Sequence, residues 1–191
     1  MKQVCLIQAS PHVGGVCDTI MRLLQMGSTR PDVVLHTYFL REYTLKPCLG
    51  CRSCAKAPHQ CVHRYIQDDA NKLLSIMQAA DLVLLCAPIY FYALPGPCKT
   101  LIDRAQSFWE AQKTNPKDTL KPTTVLLTAG RSTGQELFRG SLLTLKYFFA
   151  SLGREISETF TLSGLELRDD LLQNQKLCDQ LRTYLTTVSY I

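Results

Sequence analysis

Long hydrophobic runs, runs of like charge and low-complexity tracts are all missing from this 191-residue sequence. No apolar run approaches the roughly 18 residues of a membrane-spanning helix, so we expect no transmembrane segment and no membrane partner. With 10 glycines and 9 prolines, the composition excludes collagen-like and low-complexity proteins. The formal net charge is +5, but the basic residues are scattered along the chain, which argues for solubility and only weakly for a nucleic-acid partner. We therefore expect no nucleic-acid partner.

We also expect no secretory signal. The N-terminal apolar stretch, residues 4–9, is shorter than the apolar core of a signal peptide and runs into Pro11 and two glycines. We therefore expect a buried strand there and a protein of the reducing cytoplasm. In that compartment nine cysteines do not imply a disulfide framework, so free thiols, a metal and a redox cofactor are the explanations to weigh.

Apolar runs of strand length alternate with segments of helical periodicity, which is typical of an α/β domain with a mainly parallel sheet. The predicted strands are residues 3–9, 33–40, 82–87, 124–128 and 155–162. We expect one domain over residues 1–191, a flavodoxin-like, doubly wound, five-stranded parallel sheet in the order 2-1-3-4-5 with helices on both faces. The crevice at the carboxyl ends of strands 1 and 3 is then the predicted ligand site.

Helical periodicity gives further expectations. Leu101 and Phe108 belong to one predicted helix, the polar residues 112–122 form a surface connection, and a closing helix reaches Val188. Asp68 is predicted to cap the second helix, with Asp69 in its first turn.

The first loop at the predicted crevice, residues 10–19, begins with Ser10, ends with Thr19 and contains two glycines. Its backbone amides and the start of the following helix suit a phosphate group. The loop contains neither G-x-G-x-x-G nor a Walker A motif, which disfavours a classical dinucleotide or P-loop site. A plain turn capped by Asp18 or Thr19 is the alternative interpretation.

The second and third loops follow strands 3 and 4. Residues 88–97 contain three aromatic side chains and three prolines, which can cover one face of a flat aromatic ligand or pack against a flanking helix. Residues 128–134 are mostly small and allow a ligand edge to approach the backbone, although many loops of this kind look similar.

The strongest chemical signal is a C-x2-C-x2-C-x6-C spacing formed by Cys48, Cys51, Cys54 and Cys61. Three thiolates at every third residue can wrap one face of a cubane, and a fourth can complete the ligation of a [4Fe–4S] cluster. Zinc, helped by His59 or His63, and redox-active or simply reduced thiols are the alternatives. The remaining five cysteines are expected to pack as small hydrophobic side chains: Cys5, Cys17, Cys86, Cys98 and Cys178.

Six groups of residues, read together and in order, are informative. They are Ala9-Ser10-Pro11 with Asp18-Thr19, Cys48-Leu49-Gly50-Cys51 with Cys54 and Cys61, Asp68-Asp69, Ala80-Asp81, Pro88-Ile89-Tyr90, and Lys99 with Ile102-Asp103-Arg104. In this order over roughly the first 150 residues the sequence resembles the NADPH-dependent FMN reductase family. Within that family it is similar to the iron–sulfur flavoproteins.

This resemblance implies an FMN site and a subunit interface near it, in a homodimer or homotetramer. The phosphate would be surrounded by Ser10, His12, Asp18 and Thr19. The isoalloxazine ring would be lined by Pro88, Ile89, Tyr90 and Phe91, and its far edge would meet Thr128, Ala129 and Gly130. The family often has Arg where His12 stands and Asn where Asp18 stands, so we expect Asp18 to cap the helix and not to face the phosphate.

The function expected on these grounds is that of an FMN-dependent oxidoreductase or electron-transfer flavoprotein. NAD(P)H or a reduced redox protein would donate electrons, a small molecule or protein would accept them, and a [4Fe–4S] cluster could take part. No Ser/His/Asp or paired-carboxylate constellation stands out, which agrees with cofactor-driven chemistry and no catalytic side chain. The alternatives are an NAD(P)H:quinone or flavin reductase without a cluster, a pure electron carrier, and a zinc-binding interaction module.

Overall fold

Five strands form a single parallel sheet in a computed structural model, which describes residues 1–188 apart from the side chain of Tyr65. The strands are β1 (Lys2–Gln8), β2 (Val33–Phe39), β3 (Leu82–Pro88), β4 (Lys121–Ala129) and β5 (Arg154–Ser163). The helices are α1 (Val16–Met26), α2 (Ala70–Ala79), α3 (Gly96–Arg104), α4 (Gln106–Thr114), α5 (Arg139–Ser151), α6 (Arg168–Gln173) and α7 (Gln175–Thr187). Short 3-10 turns lie at Leu40–Glu42, Ser53–Ala55 and Val62–Tyr65.

The strand order is β2-β1-β3-β4-β5 with every neighbouring pair parallel, so the predicted fold is confirmed. Each parallel connection must cross the sheet, and the helices in these crossovers cover both faces. This is why β3 reads as an almost continuous apolar run, with its first six residues buried.

Alternation along the strands divides the core between the two faces. On one face Ile7, Leu85 and Leu127 pack with side chains of α2, α3 and α5. On the other, their neighbours Leu6, Leu84 and Leu126 pack with side chains of α1 and α7. The five cysteines expected to pack as hydrophobic side chains are all buried.

The strand ends lie within one residue of the predicted ranges, except that β4 begins three residues earlier. Three larger differences concern the helices and a connection. The predicted helix through Leu101 and Phe108 is broken at Ala105 into α3 and α4, and a break of one residue leaves the apolar periodicity almost unchanged. The closing helix is divided at Asn174, whose side chain accepts a hydrogen bond from the amide of Leu177 and starts α7. The polar connection is shorter than residues 112–122, because α4 extends to Thr114 and β4 begins at Lys121.

No helix within residues 1–188 is both long and apolar enough to cross a membrane.

Arg154 is a buried cation at the amino-terminal edge of the sheet, with only 1% of its surface exposed. Its Nη1 donates to the carbonyl oxygens of Met77 (2.9 Å) and Ala80 (2.8 Å), and its Nε donates to Oγ1 of Thr123 (3.0 Å). Burial lowers the pKa of Arg154 to about 10, which still leaves the guanidinium charged at neutral pH. One side chain thus ties the end of α2 to strands β4 and β5.

Replacing this cation tests its structural role. Arg154→Leu leaves the buried carbonyl groups of Met77 and Ala80 without a donor, so we expect a loss of about 3 kcal/mol in the free energy of unfolding. Urea denaturation measures this change. Arg139→Leu, which removes an exposed arginine paired with Glu136, should change stability by less than about 0.5 kcal/mol. Equal effects of the two substitutions would contradict the assigned role.

Candidate functional site

A cleft of about 750 Å³ opens at the carboxyl ends of β1, β3 and β4. This is the edge at which the sheet topology places ligands in open α/β folds. Eight residues predicted from the sequence line it: Ser10, His12, Pro88, Ile89, Tyr90, Thr128, Ala129 and Gly130. The cleft therefore brings together side chains from all three of the predicted loops.

The loop between β1 and α1 presents backbone to the cleft. Gly14 has φ +76°, a left-handed conformation that glycine adopts without steric cost, and Gly15 is the N-cap of α1. Because Gly15 has no side chain, no side chain of the cap residue competes for the first-turn amides of the helix. A Cβ atom at position 15 would lie 2.6 Å from Cδ2 of His12, so the His12 ring packs directly over this glycine.

We expected Asp18 to cap α1, but the N-cap residue is Gly15. Asp18 lies in the first turn, buried, and its carboxylate accepts hydrogen bonds from the amide of Gly14 (2.7 Å) and from Nε2 of Gln8 (2.7 Å). The guanidinium of Arg41 pairs with both carboxylate oxygens at 2.9 and 3.2 Å. Asp18 therefore holds the loop between β1 and α1 in place by hydrogen bonds, and Arg41 neutralises the charge of its carboxylate.

Thr19 and Phe91 lie outside the lining of the cleft. The Thr19 hydroxyl donates to the carbonyl of Gly15 (3.1 Å), within the first turn of the helix. Phe91 is fully exposed at the tip of a two-residue turn closed by reciprocal backbone hydrogen bonds between Tyr90 and Ala93. Phe91 and Tyr92 both have positive φ, +50° and +62°, which is unfavourable for aromatic residues and strains the turn.

Charged residues also line the cleft at this edge. Arg131 follows β4, within the predicted loop of residues 128–134. Glu166, Arg168 and Asp169 follow β5, and sequence reasoning missed all three. Oε2 of Glu166 lies 1.8 Å from the position that a Cβ atom of residue 130 would occupy, so the carboxylate covers Gly130 closely. The sequence signal that could have identified these residues is the run of charged residues after the fifth predicted strand, because that strand also ends at this edge.

The four cysteines of the C-x2-C-x2-C-x6-C segment line a second cavity, of about 440 Å³. Cys48 and Cys51 are exposed, and Cys54 and Cys61 are half-buried. Among the described residues no three His, Cys, Asp or Glu side chains converge closely enough to hold one metal ion. The four thiols therefore line a cavity and do not converge on one common metal position.

The walls of this cysteine-lined cavity carry charges of both signs, since Arg52 and Arg104 lie on them together with Asp103 and Glu110. Hydrogen bonding with Ser53 lowers the pKa of Cys51, whereas burial, with the charges of Cys61, Cys48 and Glu110, raises that of Cys54. Cysteine binds metals as the thiolate, the form that the surroundings of Cys51 favour.

A buried ion pair closes the base of the cysteine-rich segment, residues 43–67. Nη1 of Arg104 donates to Oδ2 of Asp68 at 2.8 Å, and both side chains are almost fully excluded from solvent. Arg104 also donates to the carbonyl of Lys46 (3.0 Å), whose amide donates to Asp68 (2.8 Å). Asp68 also accepts from the amide of Ala70, so it acts one position before the cap.

Asp69 is the N-cap residue of α2, in place of the predicted Asp68. Its carboxylate accepts from the amide of Thr44 (2.9 Å), and its own amide donates to the Thr44 carbonyl (2.9 Å). The two ends of the cysteine-rich segment are thereby hydrogen-bonded to each other.

The fold and the cleft at its carboxyl edge define a flavodoxin-like α/β protein. An FMN-dependent NADH-azoreductase from Bacillus anthracis, solved in complex with FMN, superposes with a TM-score of 0.65. The superposition covers 97% of this chain and 98% of the azoreductase chain, at 14% sequence identity. A flavone reductase superposes with a TM-score of 0.65 at 12% identity, covering 96% of this chain and 60% of its own. At these identities the likeness concerns the fold alone.

The chain belongs to the NADPH-dependent FMN reductase family, whose model matches residues 2–151. The predicted membership in this oxidoreductase family is confirmed. Among curated relatives, an iron–sulfur flavoprotein of Archaeoglobus fulgidus is 39% identical over 67 residues, 35% of this chain and 31% of that protein. An iron–sulfur flavoprotein of Methanosarcina thermophila is 29% identical over 99 residues, which are 52% of this chain and 50% of that protein. The matched regions thus span half or less of these relatives.

The ion pair at the base of the cysteine-rich segment predicts a stability effect that depends on pH. Burial by itself raises the pKa of Asp68, but the hydrogen bonds and charge of Arg104 and two backbone amides outweigh it, so the pKa is lowered. The stabilisation is therefore present above about pH 4 and is lost as the pH falls through the lowered pKa. We expect Asp68→Asn to cost about 3 kcal/mol at pH 7 and to reduce the loss of stability between pH 5 and pH 3.

Urea denaturation across this pH range tests the expectation. Asp179→Asn removes a carboxylate that pairs with Arg182 on the surface, and it should leave the acid dependence nearly as in the unmodified protein. An Asp68→Asn protein with unchanged acid dependence would show that this carboxyl group does not carry the effect.

Proposed function

We propose that the protein is an FMN-dependent oxidoreductase that takes electrons from NAD(P)H or a reduced redox protein and passes them to a small-molecule or protein acceptor. The observation that carries this proposal is the cleft at the carboxyl ends of β1, β3 and β4, lined by eight residues that the sequence had singled out for FMN. Family membership supports the same cofactor. The volume of about 750 Å³ is in the range of cofactor sites.

The loop between β1 and α1 fits a phosphate group. We assign the phosphate to the first-turn amides of α1, with the Ser10 hydroxyl and the His12 ring beside it. The glycine cap leaves these amides open, and the positive end of the helix dipole favours an anion. Asp18 and Thr19 support the loop: Asp18 holds the Gly14 amide, and Arg41 keeps its carboxylate from opposing the phosphate.

Two further groups of residues would position the flavin ring. Pro88, Ile89 and Tyr90 would line one side of the ring, and the backbone at Thr128, Ala129 and Gly130 would meet its far edge. Phe91 would line the ring only after a change in the conformation of the strained turn, which now exposes its side chain to solvent. Bound FMN can transfer electrons singly or in pairs, so the chemistry requires no catalytic acid or base from the protein.

We further propose that Cys48, Cys51, Cys54 and Cys61 hold a [4Fe–4S] cluster. Four thiols around one cavity fit a polynuclear centre bound by four thiolates. Zinc is less well supported, because its four donors must converge on one ion at about 2.3 Å for sulfur. The names of the curated relatives point the same way.

The setting proposed for this activity is a homodimer or homotetramer in the cytoplasm. The resemblance to the family supports the oligomer. All nine cysteines are free, and four of them lie on an accessible segment, which suits a reducing compartment.

Cofactor analysis tests the proposal. We expect anaerobically purified protein to contain about one FMN with about four iron and four sulfide per chain. A colourless protein that cannot be reconstituted with FMN would refute the main proposal. Turnover of NAD(P)H with FMN but without iron would favour a cluster-free reductase, and stoichiometric zinc without flavin would favour an interaction module.

Substitution of the cysteines separates the two cofactors. Cys51→Ser with Cys54→Ser should abolish iron incorporation and retain the yellow flavin, because the two cavities have different linings. Cys98→Ala, at a buried cysteine outside both cavities, should retain both cofactors. Iron content unchanged in the double variant would exclude the proposed ligands.

Arg41 provides a test of the phosphate loop. Arg41→Gln leaves Asp18 buried with an uncompensated charge beneath the loop, so we expect FMN affinity to fall about tenfold, or about 1.4 kcal/mol. The loss of FMN fluorescence on binding reports the affinity. Arg22→Gln removes the same charge from an exposed position on α1 and should leave affinity within about twofold. Equal losses of FMN affinity in both variants would show that net charge, and not the pairing of Arg41 with Asp18, causes the effect.

A further inference from the structure

A carboxylate lies at the part of the cleft where the far edge of the flavin ring is proposed to bind. In the proposed function that edge meets the backbone at Thr128, Ala129 and Gly130. Oε2 of Glu166 lies at the position that a Cβ atom of residue 130 would take, and the Cα atom of Glu166 is 3.4 Å from the same position. Gly130 and Glu166 both line the cleft, so an acidic group covers the end of β4 there.

The backbone fixes Glu166 at this place. After β5 the chain continues alongside the end of β4, because the amide of Gly164 donates to the carbonyl of Arg131 (3.1 Å) and the amide of Leu165 donates to the carbonyl of Ala129 (3.0 Å). The Leu165 side chain is buried in the part of the core formed with α1 and α7. Glu166 follows directly and is exposed, so its side chain remains at the cleft in any rotamer.

The carboxylate of Glu166 is also the unpaired charge of this region. Among the described residues it has no hydrogen-bond or ion-pair partner. The other charged residues of the cleft are engaged with neighbours. Nη1 of Arg131 donates to the Tyr92 hydroxyl (3.3 Å), and Nε of Arg168 pairs with the carboxylate of Asp169 (3.3 Å).

The chemistry of the flavin ring indicates which edge Glu166 would meet. The pyrimidine end of the ring carries N1, N3 and two carbonyl groups, whereas the dimethylbenzene end carries no hydrogen-bonding group. A protein backbone such as that of residues 128–130 therefore suits the pyrimidine end. FMN that takes up two electrons and one proton gains one negative charge, and this charge lies at the same end of the ring.

We infer that Glu166 lowers the reduction potential of bound FMN. Charge near N1 is one of the means by which a protein tunes a flavin, and a carboxylate there repels the negative charge gained on reduction. Glu166 thus weakens the binding of reduced FMN more than that of oxidised FMN, which makes the reduced cofactor a stronger electron donor. The inference rests on the proposed FMN site. Glu166 lies beyond residues 2–151, the region that the family model matches.

An anaerobic redox titration of the FMN-loaded protein, followed by the flavin absorbance, tests the inference. Glu166→Gln removes the charge and keeps the size of the side chain. We expect the affinity for reduced FMN, relative to oxidised FMN, to rise at least about threefold, which raises the two-electron potential by at least about 14 mV. Glu155→Gln removes the same charge from an exposed position near the start of β5, at the opposite edge of the sheet. It should change this ratio by less than about 1.5-fold, or about 5 mV.

Two further measurements distinguish an effect of charge from an effect of packing. Glu166→Lys reverses the charge and should raise the potential further than Glu166→Gln does. Raising the salt concentration from about 0.05 M to about 0.5 M should reduce the difference in potential between the unmodified protein and Glu166→Gln, because salt screens an exposed charge. A difference caused by altered packing would not depend on salt and would overturn the inference.

The outcomes separate this inference from the proposed function. If FMN binds and the potential of Glu166→Gln equals that of the unmodified protein or lies below it, Glu166 does not set the potential and the FMN site stands. Loss of oxidised FMN from Glu166→Gln would overturn the inference too, because Glu166 would then hold the cofactor in both redox states. If the unmodified protein cannot be loaded with FMN, the proposed function fails and the inference fails with it.

Discussion

Parallel pairing of all five strands is the constraint on which both candidate sites depend. In a parallel sheet every strand ends at the same edge, so the loops after β1, β3 and β4 meet there and enclose the cleft. The cysteine-rich segment follows β2 and leaves the sheet at that edge too. An antiparallel sheet would send successive loops to opposite edges. The polar and sulfur-containing groups can therefore gather at one end while the apolar runs fill both faces.

Buried ion pairs hold the segments that the sheet itself does not fix. Arg41 pairs with Asp18 beneath the loop of the first site, and Arg104 pairs with Asp68 at the base of the second. In each pair the two residues come from different elements, so the bond defines where a loop lies relative to its neighbour. Removing one partner from such a pair is costly, because the other charge stays buried. Such pairs specify position more than they add stability.

Periodicity predicted the strands, the sheet order and the three loops at the crevice, since apolar alternation follows directly from burial. The resemblance to the family supplied the individual residues of the cleft. Contacts between distant residues were not predictable in this way. Nothing in the local sequence indicates that Arg41 reaches Asp18, or that Asp68 pairs with Arg104 while Asp69 caps α2. The position of Phe91 depends on a strained turn that aromatic residues rarely form. The cysteine spacing identified a redox or metal segment, but the cavity that the four thiols line comes from the fold.

The hydrogen bonds between Thr44 and Asp69 have a consequence for how the cysteine-rich segment can vary. The segment leaves and rejoins the fold at adjacent points, so its interior can change length or conformation while β2 and α2 stay in place. Assembly and loss of the proposed cluster would then be local events on a folded scaffold. Such a cluster could be rebuilt without refolding the sheet, and the cysteine spacing could change without altering the cleft.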